Sequence, residues 1–322
     1  MKAILVRETG GPEVLKFEDM PEPSPNPGQA VIAVKAAGLN FIDTYQRSGA
    51  YKVPLPFVLG QEGAGTISAL GPGVEDLKVG DKVAWTGILG SYAEKVAVPT
   101  ERLVALPAGF DTKQGAAMML QGMTAHYLAC TTYPLKPGDT ALVHAGAGGV
   151  GLLLTQIAKM RGARVITTVS TDEKARLSEE AGADHVVPYT SVDFEEAVKR
   201  LTNGKGVSVV YDSVGQSTFT KSLNCLSPRG MLVLFGQSSG AVAPFDPHVL
   251  SQKGSLFLTR PTLVNYIATR SELQQRASDL IAWISAGKLK LRTKFEFALK
   301  DAAEAHRALE GRKTTGKVLL IP

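Results

Sequence analysis

The residues most suited to chemistry on a ligand stand together at Gly146-Ala147-Gly148-Gly149-Val150-Gly151. They read G-x-G-x-x-G, with an apolar run over residues 140–144 before them and a helix-compatible run over residues 152–160 after them. Such a turn suits a pyrophosphate. Gly146 would permit the tight turn, Gly148 would let the backbone approach the phosphates, and Gly151 would let helix pack closely on strand. The helix start adds unpaired N–H groups and the positive end of the helix dipole. The implied chemistry is dinucleotide binding; the competing reading is a tight strand-to-helix turn without a ligand.

Which dinucleotide is bound depends on the end of the next strand-like run, residues 164–169. An acidic residue about 20 positions past the turn would bond a ribose 2′-hydroxyl and select NAD. This chain has Ser170-Thr171 there. Asp172 and Glu173 follow, but carboxylates also suit the first turn of a helix. Lys174 can pair with a 2′-phosphate, with the hydroxyls of Ser170 and Tyr189 completing the pocket, and this charge logic favours NADPH. The alternative is that Lys174 is a solvated helix residue.

The elements that must hold these residues alternate. From residue 140 onward, strand-like runs at 140–144, 164–169, 185–187, 207–211, 231–235 and 255–258 are separated by helical patterns at 172–181, 193–201 and 218–226. Six strands with helical crossovers predict an α/β fold with a doubly wound, Rossmann-type parallel sheet. Before residue 107 the pattern is mainly β, with runs at 3–6, 30–37, 64–70, 82–85 and 92–98 broken by Pro and Gly. Residues 111–129 return to helical spacing, and Lys136-Pro137-Gly138-Asp139 breaks the chain. After Pro261 come helical patterns at 271–286 and 301–310 and strand-like runs at 294–297 and 317–321, which suit a return to the β-rich half.

A length of 322 residues suits two domains. The net charge of +5 is spread without a block of like charges, so nucleic-acid binding is not indicated. Cys130 and Cys225 are the only cysteines, in no metal-like spacing, which suits a reducing compartment such as the cytoplasm. The first ten residues lack the apolar core of a signal peptide, and no run reads as a membrane span. Met118, Met119 and Met123 read as helix core, and the pairs Glu179-Glu180 and Glu195-Glu196 as solvated helix faces.

At these residues the chain resembles the quinone oxidoreductase branch of the medium-chain dehydrogenase/reductase family, its bacterial NADPH-dependent members above all. The resemblance runs from Gly138-Asp139 through the glycine-rich turn to Gln156 and Lys159. It continues at Asn40-Phe41-Ile42-Asp43-Thr44-Tyr45, Gly60-Gln61-Glu62-Gly63, Tyr211-Asp212-Ser213-Val214-Gly215 and Phe235-Gly236-Gln237-Ser238-Ser239-Gly240. It implies a mainly β, chaperonin-10-like (GroES-like) catalytic domain over residues 1–123, an inserted NADPH-binding Rossmann domain over 124–262, and a return to the catalytic domain over 263–322. The active site would lie in the cleft between them. The family pattern assigns Asn40, Asp43 and Tyr45 to the nicotinamide end, with Thr124 and Tyr127 on the interdomain helix. It assigns Gly149 and Val150 to the pyrophosphate, and Ser170, Lys174 and Tyr189 to the 2′-phosphate. Ser213, Phe235, Ser238 and Ser239 fall at later strand ends, and Arg312 at the C-terminal return. A homodimer through the Rossmann domain is also implied.

The resemblance departs from zinc alcohol dehydrogenases. The place of their first Cys ligand falls in Gly38-Leu39-Asn40, the place of their His is Gln61, and the lobe with four close cysteines is missing. A zinc-independent enzyme is expected. A quinone needs no Lewis acid to accept hydride, because its conjugated carbonyls spread the charge, so binding and orientation would supply the catalysis. Tyr45 first, then Tyr51 or Asn40, could donate a hydrogen bond or proton to the reduced oxygen; otherwise Tyr45 only shapes the pocket. Two rivals stand beside this reading: a zinc-free reductase of α,β-unsaturated aldehydes or ketones, and a non-catalytic NADPH-binding or RNA-binding protein.

Overall fold

The computed structural model describes Met1–Pro322. Its packing separates two units, Thr124–Asn265 and the combination of Met1–Met123 with Tyr266–Pro322.

Unit Thr124–Asn265 is built on a six-stranded sheet. In spatial order the strands are His185–Pro188, Arg164–Val169, Thr140–Val143, Val207–Asp212, Leu226–Leu234 and Phe257–Thr259, and every neighbouring pair is parallel. This is the doubly wound sheet the alternation predicts. The chain winds away from the centre in opposite directions from Thr140–Val143 and Val207–Asp212, which opens a ligand crevice beyond their carboxyl ends. Ala141, Leu142, Val165, Ile166, Val210 and Leu232 are buried in unbroken runs, as strands covered on both faces require. Leu142, Ile166, Val198, Val210 and Leu223 share one core, in which helices Phe194–Leu201 and Phe219–Asn224 close over the sheet.

Among the boundaries that differ from expectation, two carry structure the patterns did not show. The helix expected over 218–226 ends at Asn224, and the next strand begins already at Leu226 and carries Pro228 and Gly230, residues that disguise a strand. Helix Thr112–Tyr127 continues into one π-helical turn, Leu128–Thr132, where the hydroxyl of Tyr211 donates to the carbonyl of Leu128 at 3.2 Å.

The other unit is mainly β. A three-stranded antiparallel sheet joins Lys16–Asp19, Lys2–Val6 and Phe57–Val58. A seven-stranded sheet runs Phe295–Ala298, Val318–Ile321, Gln29–Leu39, Glu62–Leu70, Lys82–Thr86 and Val104–Ala105, with Lys95–Pro99 also paired to Gln29–Leu39. Its core includes Ile32, Leu59, Ile67, Trp85, Val98 and Leu320. A Cβ on Gly63 would stand 2.6 Å from the Trp85 ring, so the indole needs a glycine opposite it. Burying that ring stabilises the unit by about 3–5 kcal/mol relative to alanine. Strand Val318–Ile321 lies antiparallel to Gln29–Leu39, with Val318 opposite Leu39.

Candidate active site

In unit Thr124–Asn265 the glycine-rich turn takes shape through its backbone. The amide of Gly146 donates to Thr168 O at 3.0 Å, that of Gly148 to Ala145 O at 2.8 Å, and helix Gly149–Met160 starts with no side chain capping it. Its first N–H groups are therefore available to an anion, with Gly149 and Val150 in the first turn. One role moves. The left-handed residue of the turn is Ala145, with φ 54°, and Gly146 is absent from the positive-φ positions. Gly146 must be glycine for space, since a Cβ there would stand 2.6 Å from Thr167 Cβ and 2.8 Å from Ser178 Oγ. A Cβ on Gly151 would collide with the carbonyl of Ala145, so this glycine admits the close approach of helix and turn.

Ser170, Lys174 and Tyr189 come together at the ends of two adjacent strands. Lys174 Nζ donates to Ser170 Oγ at 3.3 Å, and the amide of Tyr189 donates to Val169 O at 3.0 Å. Thr171 caps helix Asp172–Glu180 by accepting from the amide of Lys174, which fixes where the lysine leaves the helix. Tyr189 is a large exposed aromatic, and Asp172 and Glu173 stay in the first helical turn.

At the next two strand ends, Phe235 N donates to Asp212 O at 2.8 Å and Ser238 N to Ser213 O at 3.2 Å. Ser213, Phe235 and Ser238 are thus adjacent. Ser239 is spent within the protein, because its hydroxyl donates to Val214 O at 2.7 Å and accepts from Ser217 N at 3.0 Å. Thr124 and Tyr127 are almost fully buried on helix Thr112–Tyr127. Behind the strand ends, His144 contacts Thr168 Oγ1 at 2.9 Å and Ser222 Oγ at 3.0 Å, and Ser222 donates to Asp212. Burial pushes this imidazole down, so it is a neutral strut. Burial likewise pushes the Cys225 thiol up to about 12, which leaves it unreactive near neutrality. Glu195, expected on a solvated face, is only 14% exposed and accepts from Asn224 and Lys199.

In the β-rich unit the candidate residues sit on a short helix, Phe41–Arg47, which the apolar periodicity did not announce. Its pattern is inverted. Asp43, Thr44, Gln46 and Arg47 point inward, while Phe41 and Tyr45 are only half-buried. Tyr45 and Tyr51 lie with ring centroids 5.2 Å apart, joined by a bond from Tyr51 N to Tyr45 O. Arg312 lies in the turn after helix Ala302–Glu310 with φ 57°.

Asn40 begins helix Phe41–Arg47 and is fixed from both ends of its carboxamide. Its Nδ2 donates to Glu62 Oε2 at 2.8 Å and to Gly38 O at 3.2 Å, and its Oδ1 accepts from Lys317 Nζ at 2.9 Å. Both amide protons are committed, so this side chain orients its surroundings and donates nothing to a substrate oxygen. Lys317 Nζ also pairs with Glu62, whose other oxygen accepts from Leu120 N at 2.6 Å. An ammonium thus sits between Asn40 and Glu62, the residue after Gln61, and this donor set of amides, one paired carboxylate and a cation does not suit Zn²⁺.

Asp43 continues the network. Its Oδ2 accepts from Asn40 N at 2.8 Å and Tyr92 Oη at 2.9 Å, while its Oδ1 has no hydrogen-bond partner. Burial, against these bonds and the charge of Lys317, pushes this carboxyl up to about 7. Tyr92 also meets His306 Nε2 at 3.4 Å, and His306 Nδ1 meets Arg47 Nη1 at 3.2 Å. Arg47 can only donate, so Nδ1 accepts and the proton of this neutral imidazole stands on Nε2. The sequence reading missed Glu62, Tyr92, His306, Arg47 and Lys317. The available signal was charge at the edges of strand-like runs, at Glu62 just before 64–70 and at Lys317 opening 317–321.

A doubly wound sheet with a glycine-rich first turn, carried by a chain whose remainder forms a β unit, defines a dehydrogenase/reductase of the two-domain kind. Residues 26–108 match the alcohol dehydrogenase GroES-like domain, and residues 149–285 the zinc-binding dehydrogenase family. The quinone oxidoreductase of Pseudomonas aeruginosa is 48% identical, with 100% of this chain and 99% of that protein covered. A 2-haloacrylate reductase of a Burkholderia species is 41% identical, covering 99% and 98%. The crystal structure of Escherichia coli quinone oxidoreductase complexed with NADPH superposes with a TM-score of 0.98 at 44% identity, over 100% of both chains. The chain belongs to the quinone oxidoreductase branch of the medium-chain dehydrogenase/reductase family.

Proposed function

We propose that this protein is an NADPH-dependent quinone reductase that passes reducing equivalents to small quinones without a metal. The observation that carries this reading is full-length likeness, at a TM-score of 0.98, to a quinone oxidoreductase bound to NADPH. Gly148, Gly149 and Val150 would hold the pyrophosphate, and Ser170, Lys174 and Tyr189 the 2′-phosphate. Thr124, Tyr127, Ser213, Phe235, Ser238 and Ser239 would line the cofactor's course, with Asn40, Asp43, Tyr45 and Arg312 toward its reactive end. The cofactor supplies the hydride.

The protein's own work is to bind and orient. Phe41, Tyr45 and Tyr51 form a half-exposed aromatic group suited to the face of a quinone ring. Tyr45 first, then Tyr51, would donate to the reduced oxygen. The relative that reduces 2-haloacrylate supports a second reading, reduction of a C=C bond conjugated to a carbonyl.

No helix is long and apolar enough to cross a membrane; a cytoplasmic location suits Cys130 and Cys225, which form no disulfide. The sheet ends at strand Phe257–Thr259, where Phe257 is 57% exposed, and pairing of this edge with a second copy would make a homodimer. The test is oxidation of NADPH and NADH in parallel with ortho- and para-quinones and one enone, using chelator-treated protein. Rapid NADPH-selective quinone turnover supports the reading, enone turnover alone moves the protein to the second reading, and binding without turnover overturns both.

A further inference from the structure

We propose that Lys317 is a positioning residue of the candidate active site: its ammonium, held between Glu62 and Asn40, fixes the start of the helix that carries Asp43 and Tyr45. The inference deepens the functional reading above and rests on it for its kinetic consequences.

Topology delivers the lysine. The antiparallel register places Val318 opposite Leu39, so the next residue back, Lys317, falls beside Asn40. Its side chain is 3% exposed, and that of Glu62 is fully buried. Residue 38 is a glycine beside this pair: a Cβ there would stand 2.6 Å from both Cε and Nζ of Lys317 and closer still to Glu62 Oε2, so both side chains would have to shift. A buried ammonium is tolerated here because Glu62 and Asn40 satisfy it.

Saturation of the hydrogen bonds makes it a clamp. Asn40 accepts from Lys317 and donates to Glu62 and Gly38, so the carboxamide has one orientation. The Asn40 amide in turn donates to Asp43 within the same helix start. Removal of the ammonium frees one end of Asn40 and leaves the Glu62 carboxylate buried without its counter-charge.

Charge counting then singles out Asp43. Lys317 offsets Glu62, and Glu310 offsets Arg47, so Asp43 is the acid of this network with no cation of its own. The groups facing it are Asn40 N and Tyr92 Oη by hydrogen bond, Lys317 and Glu62 by charge, and His306 and Arg47 beyond Tyr92. With Lys317 present its carboxyl titrates at about 7. The ionised form is the stronger acceptor for Asn40 N and Tyr92 Oη, so the helix start is firmest above that pH. Without Lys317 the negative field of Glu62 is unopposed, and the transition moves alkaline.

The experiment compares the full-length protein with Lys317→Met, the charge-neutral pair Glu62→Gln/Lys317→Met, and Asp43→Asn. It reads kcat and KM for a para-quinone against pH, NADPH affinity by fluorescence, and the infrared carbonyl band of the protonated buried carboxyl across neutrality. In Lys317→Met, kcat should fall about tenfold or more while NADPH affinity stays within about twofold, because misplaced groups cost rate more than remote binding. The limb near neutrality should move alkaline in Lys317→Met, return toward neutrality in the double variant, and vanish in Asp43→Asn. The double variant should keep a low kcat, since Asn40 still lacks its clamp. If Lys317→Met fails to fold, the double variant decides: a folded double variant with the kcat and pH profile of the unmodified protein overturns the inference. If the unmodified protein turns over no quinone, the functional reading falls, and the infrared band then decides the inference alone. A band absent in Asp43→Asn and displaced in Lys317→Met supports it, and a band unmoved by Lys317→Met overturns it.

Discussion

Arg47 and Glu310, 263 residues apart, meet fork to fork: Arg47 Nη2 lies 2.8 Å from Oε1 and Nη1 2.9 Å from Oε2. The guanidinium is 3% exposed and also donates to Gly10 O, while the carboxylate is 36% exposed. Glu310→Ala leaves a buried cation without its partner. The loss should be about 2 kcal/mol, below that of a fully enclosed pair because water reaches the carboxylate side. Urea unfolding followed by circular dichroism checks this, and a midpoint unchanged by the substitution would show that the pair contributes nothing net.

Two buried groups joined through Tyr92 should pull stability in opposite directions with pH. Burial, helped by the charge of Arg47, pushes His306 down from 6.5 to about 3, so the folded protein refuses a proton that the unfolded chain takes up. The stability this contributes is lost as pH falls from 6.5 toward 3. Asp43 rises from 3.8 to about 7, so the folded protein keeps a proton the unfolded chain releases, and that contribution is lost as pH rises through this window. Where the windows overlap, the two slopes cancel. Relative to the unmodified protein, Asp43→Asn should lose melting temperature on acidification, and His306→Asn should lose it as pH rises toward 7. Parallel curves for all three proteins would refute both assignments.

Lys174 should decide between the two nicotinamide dinucleotides. Its ammonium stands 3.3 Å from Ser170 Oγ at the strand end where the 2′-substituent is expected. Lys174→Ala should raise KM for NADPH by about 10- to 100-fold, the worth of a charged hydrogen bond, and leave KM for NADH nearly unchanged. Equal losses with both cofactors would assign the lysine to the fold.

The exposed edge at Phe257–Thr259 should be the seam of a dimer. Phe257→Glu places a charge on that edge and should shift the mass measured by light scattering toward the monomer. An unmodified protein that is already monomeric would sink the proposal at once.

Much of the nucleotide-binding unit was legible because its signals are local. The strand, the glycines and the helix at residues 140–160 follow one another, and Ser170 and Lys174 sit within one helical turn. Even there the turn chemistry was misassigned, because an alanine at 145 takes the left-handed conformation. The buried network was illegible for a different reason. Lys317 meets partners 255 and 277 residues away, and no window along the chain contains both ends of such a bond. Helix Phe41–Arg47 was missed because it turns its polar side chains inward, the reverse of the pattern by which helices announce themselves. The pairing of Asn40 with Asp43 three residues on was its one local clue.

The strand Val318–Ile321 has a consequence for how the molecule is made. The end of its partner strand that it pairs with, residues 37–39, leaves the ribosome early and must wait for it while the whole of Thr124–Asn265 is synthesised. A parallel unit with its own core can fold meanwhile, since nascent chains fold domain by domain. Lys317 arrives with the late strand, so a chain broken off during translation would carry a finished nucleotide-binding sheet and an incomplete clamp at Asn40. Such a fragment should still hold a cofactor, yet lack the ordered helix start on which turnover is proposed to depend.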